Sequence, residues 1–297
     1  MHTAHPSSLI LVVGATGFLG MEICKQLIAA KQQVRALVRS TSIQDKVIML
    51  DQLGTEIIMG DIKDEGSIKR ALKGVSIVIS CATSTLTRQY GDTIETVDRK
   101  GQISLVNAAK EAGIKQFIYI SLNETPIASP LQSAKRAVEY SLIKSNIKYT
   151  VLQPSFFMEV WLSPRCGFDY INANATIYGE GKNKLAWISL KDVAALAVAS
   201  IDNKLAENQI FEVGGPDVLA PLEVVSIFEK QGGTTFKVKH VPLEGLDNCA
   251  NDDFSKSFSS AVKAYANGNN IRMKKLAKIF PIKLTSVNEY AKQVLSV

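Results

Sequence analysis

The stretch that decides the fold is LILVVGATGFLG, residues 9–20 of the 297-residue chain. It begins with five apolar residues and runs directly into glycines spaced three residues apart. A short continuous apolar run is typical of a strand buried on both faces. From Phe18 onward the apolar residues recur at helical spacing. The stretch therefore predicts a strand, a tight glycine turn and a helix.

The glycine turn has the chemistry of a phosphate-binding loop. One glycine permits the sharp turn, another lets the backbone approach a diphosphate, and the last lets the helix pack against its strand. The helix start offers N–H groups and a positive dipole end to phosphate oxygens. An empty glycine-rich turn is the alternative, but the flanking strand and helix favour dinucleotide binding. The predicted contacts are Gly14, Ala15, Thr16, Gly17, Phe18, Leu19 and Gly20.

Composition limits the classes of function. The chain is 46% hydrophobic and 21% charged, with a net charge of +6, which allows a full core and one large or two modest domains. The positive charge permits an anionic ligand, but no nucleic-acid-binding motif accompanies it. No apolar stretch approaches the ~18 residues of a membrane span, and no secretory signal is recognisable. We expect a cytoplasmic protein that binds neither nucleic acid nor membrane.

Cysteine and histidine usage argues against a metal centre. The four cysteines show no C-x-x-C spacing, so neither a zinc site nor a disulfide framework is indicated. His2 and His5 lie in a polar tail, which leaves His240 as the remaining imidazole. The cysteines are Cys24, Cys81, Cys166 and Cys249.

Strands and helices alternate along the first half of the chain. Further strands are predicted at residues 33–38, 56–59, 75–81, 116–120 and 148–152, with helices between them, one of them spanning residues 95–112. This alternation is typical of an α/β fold with right-handed crossovers. We predict a doubly wound parallel Rossmann sheet with a smaller C-terminal substrate lobe. The Rossmann core takes residues 1–153, rejoined by about 186–214, and the lobe takes 154–297.

Capping signals and charge patterns predict details of the second half. Asp192 is expected to cap an apolar helix, and Ser286 with Glu289 has the spacing of a capping box. Residues 247–260 read as a polar loop entering a helix, and the basic residues between Arg272 and Lys278 predict a solvated helix face.

The end of the second strand predicts which dinucleotide binds. Arg39 and Ser40 stand there, and no acidic residue lies between Val38 and Gln44. An acid at this position would favour NAD, whereas the planar guanidinium of Arg39 suits a 2′-phosphate. A surface arginine is the alternative. We predict NADP, with NADPH preferred over NADH, and place Cys81, Ala82 and Thr83 beside its ribose because ligands lie at the carboxyl ends of the strands.

Several motifs together resemble a known family. They are GATGFLG at 14–20, Arg39, Gly60-Asp61, AAKEAG at 108–113 before FIYIS at 117–121, Lys135 with Glu139, and VLQP at 151–154. The first resembles the short-chain dehydrogenase/reductase superfamily, and the ensemble resembles its NmrA-like branch, which includes isoflavone-reductase-like enzymes. The resemblance implies that Asp61 and Ile62 lie beside the adenine, although a simple Gly-Asp turn is the alternative.

The resemblance also assigns candidate catalytic residues. Lys135 would hold the nicotinamide ribose and Ser121 would face the nicotinamide; a surface lysine paired with Glu139 is the alternative for Lys135. The aromatic segment after Pro154 could wall the nicotinamide and substrate pocket, or it could be ordinary core. Its predicted cofactor contacts are Pro154, Phe156 and Phe157.

One departure from the superfamily pattern narrows the chemistry. Ordinary members carry Tyr-x-x-x-Lys, but Leu131 stands four residues before Lys135. A leucine cannot transfer a proton, which argues against carbonyl reduction and sugar epimerisation. Two hypotheses remain. One is an NADPH-dependent reductase of quinones or other electron-poor small molecules, with Tyr90, Tyr178 or water as proton donor. The other is a catalytically silent NADP(H) sensor that acts on a protein partner.

Overall fold

The computed structural model describes residues 8–246, 251–271 and 273–296. Predictions that concern His2, His5, Cys249, Arg272 and the start of the 247–260 loop lie outside the described residues. The described chain forms two compact units. The first contains residues 8–121, 131–152 and 194–211, and the second contains the remaining described residues. The substrate role assigned to the C-terminal lobe stays a prediction.

The strands, in chain order, are β1 (Leu9–Val13), β2 (Gln33–Val38), β3 (Glu56–Met59), β4 (Ile77–Ser80), β5 (Gln116–Ile120), β6 (Lys148–Pro154), β7 (Phe156–Phe157), β8 (Phe168–Asp169), β9 (Asn174–Tyr178), β10 (Leu185–Ile188), β11 (Gln209–Val213), β12 (Val218–Leu219) and β13 (Lys237–Val241). The α-helices are α1 (Phe18–Ala29), α2 (Gln44–Gln52), α3 (Glu65–Ala71), α4 (Gln102–Glu111), α5 (Pro130–Lys144), α6 (Met158–Trp161), α7 (Leu190–Ala199), α8 (Pro221–Gly232), α9 (Asp253–Asn267), α10 (Lys274–Ile279) and α11 (Val287–Leu295).

The central sheet has the order β11-β6-β5-β4-β1-β2-β3. All strand pairs from β3 to β6 are parallel, and β1 lies between β2 and β4. The strand order reverses direction at β1, which is the switch point where ligands bind in doubly wound sheets. The predicted Rossmann-type α/β fold is confirmed.

The core of the first unit follows from the apolar runs of the sheet. Leu11, Val78 and Phe117 are fully buried in neighbouring strands, and Leu105 of α4 and Val138 of α5 belong to the same apolar cluster. Full burial of such a side chain contributes about 1.5–3 kcal/mol. The apolar strands therefore form the layer against which the helices pack.

The helix expected at residues 95–112 is not a single α-helix. Residues Ile94–Gly101 form a π-helix, and α4 begins only at Gln102. Thr93 and Thr96 close its start as a capping box. Such π segments are rare and frequently lie at functional sites.

The second unit contains two further sheets of three strands each. One has the order β12-β10-β7 and another the order β13-β9-β8. The aromatic segment after Pro154 forms β7 and α6. Three of these strands are too short for an alternating pattern, because β7, β8 and β12 have two residues each.

The helix-capping predictions for the second unit have mixed outcomes. The Ser286–Glu289 capping box is confirmed, because the Glu289 N–H donates to Ser286 Oγ at 3.1 Å and the Ser286 N–H donates to Glu289 Oε2 at 2.9 Å. The prediction for Asp192 is wrong: Ser189 precedes α7, and its Oγ accepts the Lys191 N–H. Asp192 instead accepts the Thr285 N–H at 2.7 Å.

The basic stretch near the C-terminus forms α10, on which Lys274, Lys275 and Lys278 lie. None of the helices in the described part of the chain has the length and apolar character needed to cross a membrane.

Candidate cofactor site

The glycine turn at the carboxyl end of β1 leaves no room for side chains. Gly14 has φ +93°, and a Cβ there would lie 2.8 Å from the Ala82 backbone nitrogen. A Cβ on Gly20 would collide with the Gly14 carbonyl oxygen. Gly17 closes the turn by donating its N–H to the Gly14 carbonyl at 3.0 Å and is the N-cap of α1. The backbone therefore forms a bare cradle at a helix start, which fits a diphosphate.

The remaining loop residues divide between core and surface. Ala15 and Leu19 are buried, whereas Phe18 is 56% exposed, with Lys46 Nζ 4.8 Å from its ring centroid. The end of β4 lies directly against the glycine turn: the Cys81 N–H donates to Val13 at 2.9 Å. The structure thus brings Cys81, Ala82 and Thr83 to the strand end beside Gly14, and their contact with a ribose stays a prediction.

Arg39, at the end of β2, lies in an ionic cluster. Its Nη1 donates to Asp92 Oδ2 at 2.5 Å, and Lys63 Nζ donates to Asp92 Oδ1. Burial alone would raise the pKa of the Asp92 carboxyl, but the bonds from Lys63, the Gln89 N–H and Arg39 outweigh it and hold that pKa below its usual range. Arg39 is therefore more than a solvated surface arginine, and Ser40 beside it is exposed.

Asp61 and Ile62 follow β3 at the neighbouring strand end. Asp61 forms a turn, since its carbonyl accepts the Asp64 N–H at 3.0 Å and its Oδ1 accepts the Lys63 N–H at 2.8 Å. Ile62 is buried in the core of the first unit. The structure thus contains the Gly-Asp turn that was the alternative to adenine binding. Contact of Asp61 or Ile62 with an adenine stays a prediction.

Lys135 is buried, which rules out the surface alternative. Its Nζ lies 3.5 Å from Asp98 Oδ1 and 5.2 Å from the centroid of the Tyr119 ring. Burial alone would lower the pKa of Lys135, but Tyr119 and Asp98 outweigh it, so that pKa is raised. Burial raises the pKa of Tyr119 to about 12. At neutral pH Lys135 therefore carries its charge and Tyr119 is a neutral phenol.

Ser121, at the end of β5, is tied to the same helix as Lys135. Its Oγ donates to Glu139 Oε1 at 2.5 Å, and Arg136 Nη1 contacts both groups. The structure therefore brings Ser121 and the α5 residues together through Glu139. Leu131 lies on α5 one turn before Lys135 and supplies no proton-transfer group.

The predicted contacts after Pro154 belong to the second unit. Phe157 pairs with Ile188 in the β7–β10 ladder. Phe156 packs edge-on against Trp161, with ring centroids 5.1 Å apart, and lies against the apolar core of that unit. At least Phe156 therefore packs as part of an ordinary apolar core, which was the alternative for this segment. The contacts of Pro154, Phe156 and Phe157 with a cofactor stay predictions.

The two tyrosines considered as proton donors have different surroundings. Tyr90 is fully exposed in the first unit. Tyr178 lies in the second unit, where burial raises its pKa. Within residues 8–246, 251–271 and 273–296, no group of histidine, cysteine or acidic side chains could hold a metal ion.

Sequence reasoning missed the partners of the predicted residues. Asp92 binds both Arg39 and Lys63, while Asp98 pairs with Lys135. A single acid in a polar segment carries no periodic signal, so nothing in the pattern identified Asp92. Asp98 lies in the segment that was predicted as an ordinary helix, where a single acidic residue indicates no particular role.

Comparisons with known proteins show which family and which proteins the sequence is similar to. The sequence profile of the NmrA-like family matches residues 6–291. The chain is 30% identical over 241 residues to the photosystem II assembly factor Ycf39 of Synechocystis sp., covering 80% of this chain and 72% of that protein. It is also 30% identical over 239 residues to the NAD(P)H azoreductase of Xenophilus azovorans, covering 80% and 78%.

Solved structures share the fold. The NADPH complex of leucoanthocyanidin reductase from Vitis vinifera has a TM-score of 0.77 at 21% identity, covering 98% of this chain and 100% of that chain. The NADPH complex of the quinone oxidoreductase QOR2 from Escherichia coli has a TM-score of 0.75 at 23% identity, covering 96% and 99%.

Proposed function

The chain belongs to the NmrA-like family, and from that premise we propose that it binds NADPH and uses it to reduce a quinone or another electron-poor small molecule. The observation that carries the proposal is the bare glycine cradle beside Ala82, with Arg39 at the neighbouring strand end. The similarity to reductases, among them the NAD(P)H azoreductase of Xenophilus azovorans, supports it.

The residues of the first unit have distinct proposed roles. The cradle from Gly14 to Gly20 holds the diphosphate through backbone N–H groups, and Arg39 holds the 2′-phosphate. Lys135, kept charged beside Asp98, orients the nicotinamide ribose, and Ser121 faces the nicotinamide. Bound NADPH supplies a hydride. Water or Tyr90 supplies the accompanying proton.

Leu131 favours a quinone over a simple carbonyl compound. Reduction of a ketone or aldehyde concentrates negative charge on one oxygen, which needs a strong local acid. Reduction of a quinone spreads that charge over a ring, so a dedicated acid beside the acceptor matters less. Leu131 stands where the acid of ordinary superfamily members would be.

NADPH oxidation by the purified protein tests the proposal. Quinones, an azo dye and aldehydes are supplied in parallel reactions, with NADH as the second reductant. We expect quinone turnover that is faster with NADPH and absent with aldehydes. Nucleotide binding without turnover of any acceptor would contradict the proposed reductase activity and favour a protein that only senses NADP(H).

The second candidate is a binding protein that senses NADP(H) and acts on a protein partner. It needs the same cradle and no proton donor, so Leu131 suits it without further assumptions. The relationship to the assembly factor Ycf39, at 30% identity, favours considering it. It predicts tight NADPH binding, no steady NADPH consumption, and association with a partner that changes when NADP+ replaces NADPH.

A further inference from the structure

Two cations in the first unit share a single buried carboxylate. Arg39 Nη1 lies 2.5 Å from Asp92 Oδ2, and Lys63 Nζ binds Asp92 Oδ1. The Asp92 side chain is 1% exposed, whereas those of Arg39 and Lys63 are 26% and 27% exposed. The accessible side of this cluster therefore presents its cations, and the carboxylate lies beneath them.

We propose that Asp92 and Lys63 determine cofactor specificity together with Arg39: the buried carboxylate holds the two cations side by side as the binding site for the 2′-phosphate of NADPH. Lys63 is then a direct phosphate ligand, and Asp92 is a positioning residue. The inference rests on the proposed function, because it requires that the glycine cradle binds a nicotinamide dinucleotide.

The surroundings of Asp92 make it a support for the cations rather than a competitor of the phosphate. Its Oδ2 also accepts the Gln89 N–H at 3.0 Å. Gln89 in turn is fixed to the β2–α2 connection, because its Nε2 donates to the Thr41 carbonyl at 2.7 Å. A carboxylate with three donors and almost no exposure stays in place when a ligand arrives.

Both cations retain capacity for a phosphate. The bond to Asp92 engages one terminal nitrogen of the Arg39 guanidinium, a group with five N–H donors in a planar fork. Lys63 also lies 3.6 Å from Asp61 Oδ2. Because that second carboxylate offsets part of the Lys63 charge, we expect Arg39 to contribute more to phosphate binding than Lys63 does.

Without the carboxylate the two cations would separate. Like charges held around one small group repel each other, and the long side chains of Arg39 and Lys63 could turn into solvent to relieve that repulsion. NADH carries a 2′-hydroxyl instead of a phosphate, so its affinity should change little when the two cations separate. A specificity role therefore predicts a selective loss of NADPH affinity.

Calorimetric titration of NADPH, NADH, 2′,5′-ADP and ADP tests the inference without turnover. The variants are Asp92→Asn and Lys63→Met, with Lys63→Arg as the conservative variant. Lys69→Met is the matched control, because Lys69 is an exposed lysine on α3. Since one charge-assisted hydrogen bond is worth about tenfold or more in affinity, we expect Asp92→Asn and Lys63→Met each to weaken NADPH and 2′,5′-ADP by about that factor.

Binding of NADH and ADP should stay unchanged in these variants, Lys63→Arg should keep the NADPH preference, and Lys69→Met should match the parent protein. Equal losses for NADPH and NADH would overturn the specificity role. Tighter NADPH binding by Asp92→Asn would overturn it too, because the carboxylate would then be a competitor.

If Asp92→Asn fails to fold, the contrast between Lys63→Met and Lys63→Arg decides whether the charge of Lys63 binds the phosphate. A parent protein that binds neither dinucleotide overturns the proposed function and this inference with it; one that binds NADPH while the Lys63 variants change nothing overturns this inference alone.

Discussion

The ammonium of Lys135 lies 3.5 Å from the Asp98 carboxylate, and both side chains are buried in the first unit. The other oxygen of Asp98 accepts the Ser84 N–H at 3.0 Å and the Ser84 hydroxyl at 2.7 Å. The π-helix that carries Asp98 is therefore linked both to the loop after β4 and to α5. This pairing keeps Lys135 charged at a depth where an isolated ammonium would tend to lose its proton.

Breaking this buried pair should destabilise the protein strongly. Asp98→Asn leaves the Lys135 charge without its partner, which typically costs about 3–5 kcal/mol in the free energy of unfolding. Lys135→Met should cost a similar amount, because it leaves the Asp98 carboxylate buried and unpaired. The double variant Asp98→Asn with Lys135→Met should be more stable than the sum of the two losses predicts. Urea denaturation of the four proteins measures this cycle.

The exposed pair Glu180–Lys182 provides the control for that cycle. Its nitrogen and oxygen lie 3.1 Å apart, but both side chains are largely exposed. The coupling energy of such a pair is about 0–1 kcal/mol. A coupling energy for Asp98 and Lys135 as small as that of the control would contradict the importance of the buried pair.

The central fold was predictable because its signals are local. The five-residue apolar run of β1 and the alternating strands and helices that follow it are confirmed in the parallel sheet. Two-residue strands such as β7 and β8 have no period to detect, so they were missed. The π-helix at Ile94–Gly101 was missed because its residues also suit an α-helix.

The sequence predicted those parts of the candidate site in which a residue type and its position alone indicate a chemical role. Glycine spacing identified the cradle, and Arg39 was identified by its position after β2. Asp92 stands 53 positions beyond Arg39, and only the folded chain brings the two together.

Because the pKa of Asp92 is lowered in the folded protein, the free energy of unfolding should decrease at acid pH. A carboxyl whose folded-state pKa is depressed contributes stability that is present above its unfolded-state pKa and is lost as the pH falls through the folded-state value. Since an unfolded aspartate titrates at about 3.9, the loss should begin near that pH and continue below it. Urea denaturation at several pH values should show a shallower acid loss for Asp92→Asn than for the parent protein. Identical slopes would contradict the contribution of Asp92.

Adding a methyl group to Gly20 should abolish nucleotide binding. A Cβ at Gly20 would collide with the Gly14 carbonyl, so Gly20→Ala must displace the cradle. Gly66→Ala is the matched control, because Gly66 also lies in the first turn of a helix and its added Cβ would have no contact closer than 3.4 Å. We expect Gly20→Ala to lose NADPH and NADH alike in a fluorescence titration, while Gly66→Ala binds both normally. Unaltered affinity of Gly20→Ala would contradict the cradle as the diphosphate site.

Replacing Arg39 tests whether the chain selects NADPH through a 2′-phosphate. Arg39→Met removes the guanidinium, and we expect NADPH affinity to fall about tenfold or more while NADH affinity changes little, because charge-assisted bonds to phosphate are lost. Arg39→Asp should weaken NADPH further, since it places a second carboxylate beside Asp92 and repels the phosphate. The same carboxylate can accept hydrogen bonds from the 2′-hydroxyl of NADH, which should shift the preference toward that cofactor. Equal changes in the two dissociation constants would show that the assignment of Arg39 to the 2′-phosphate is wrong.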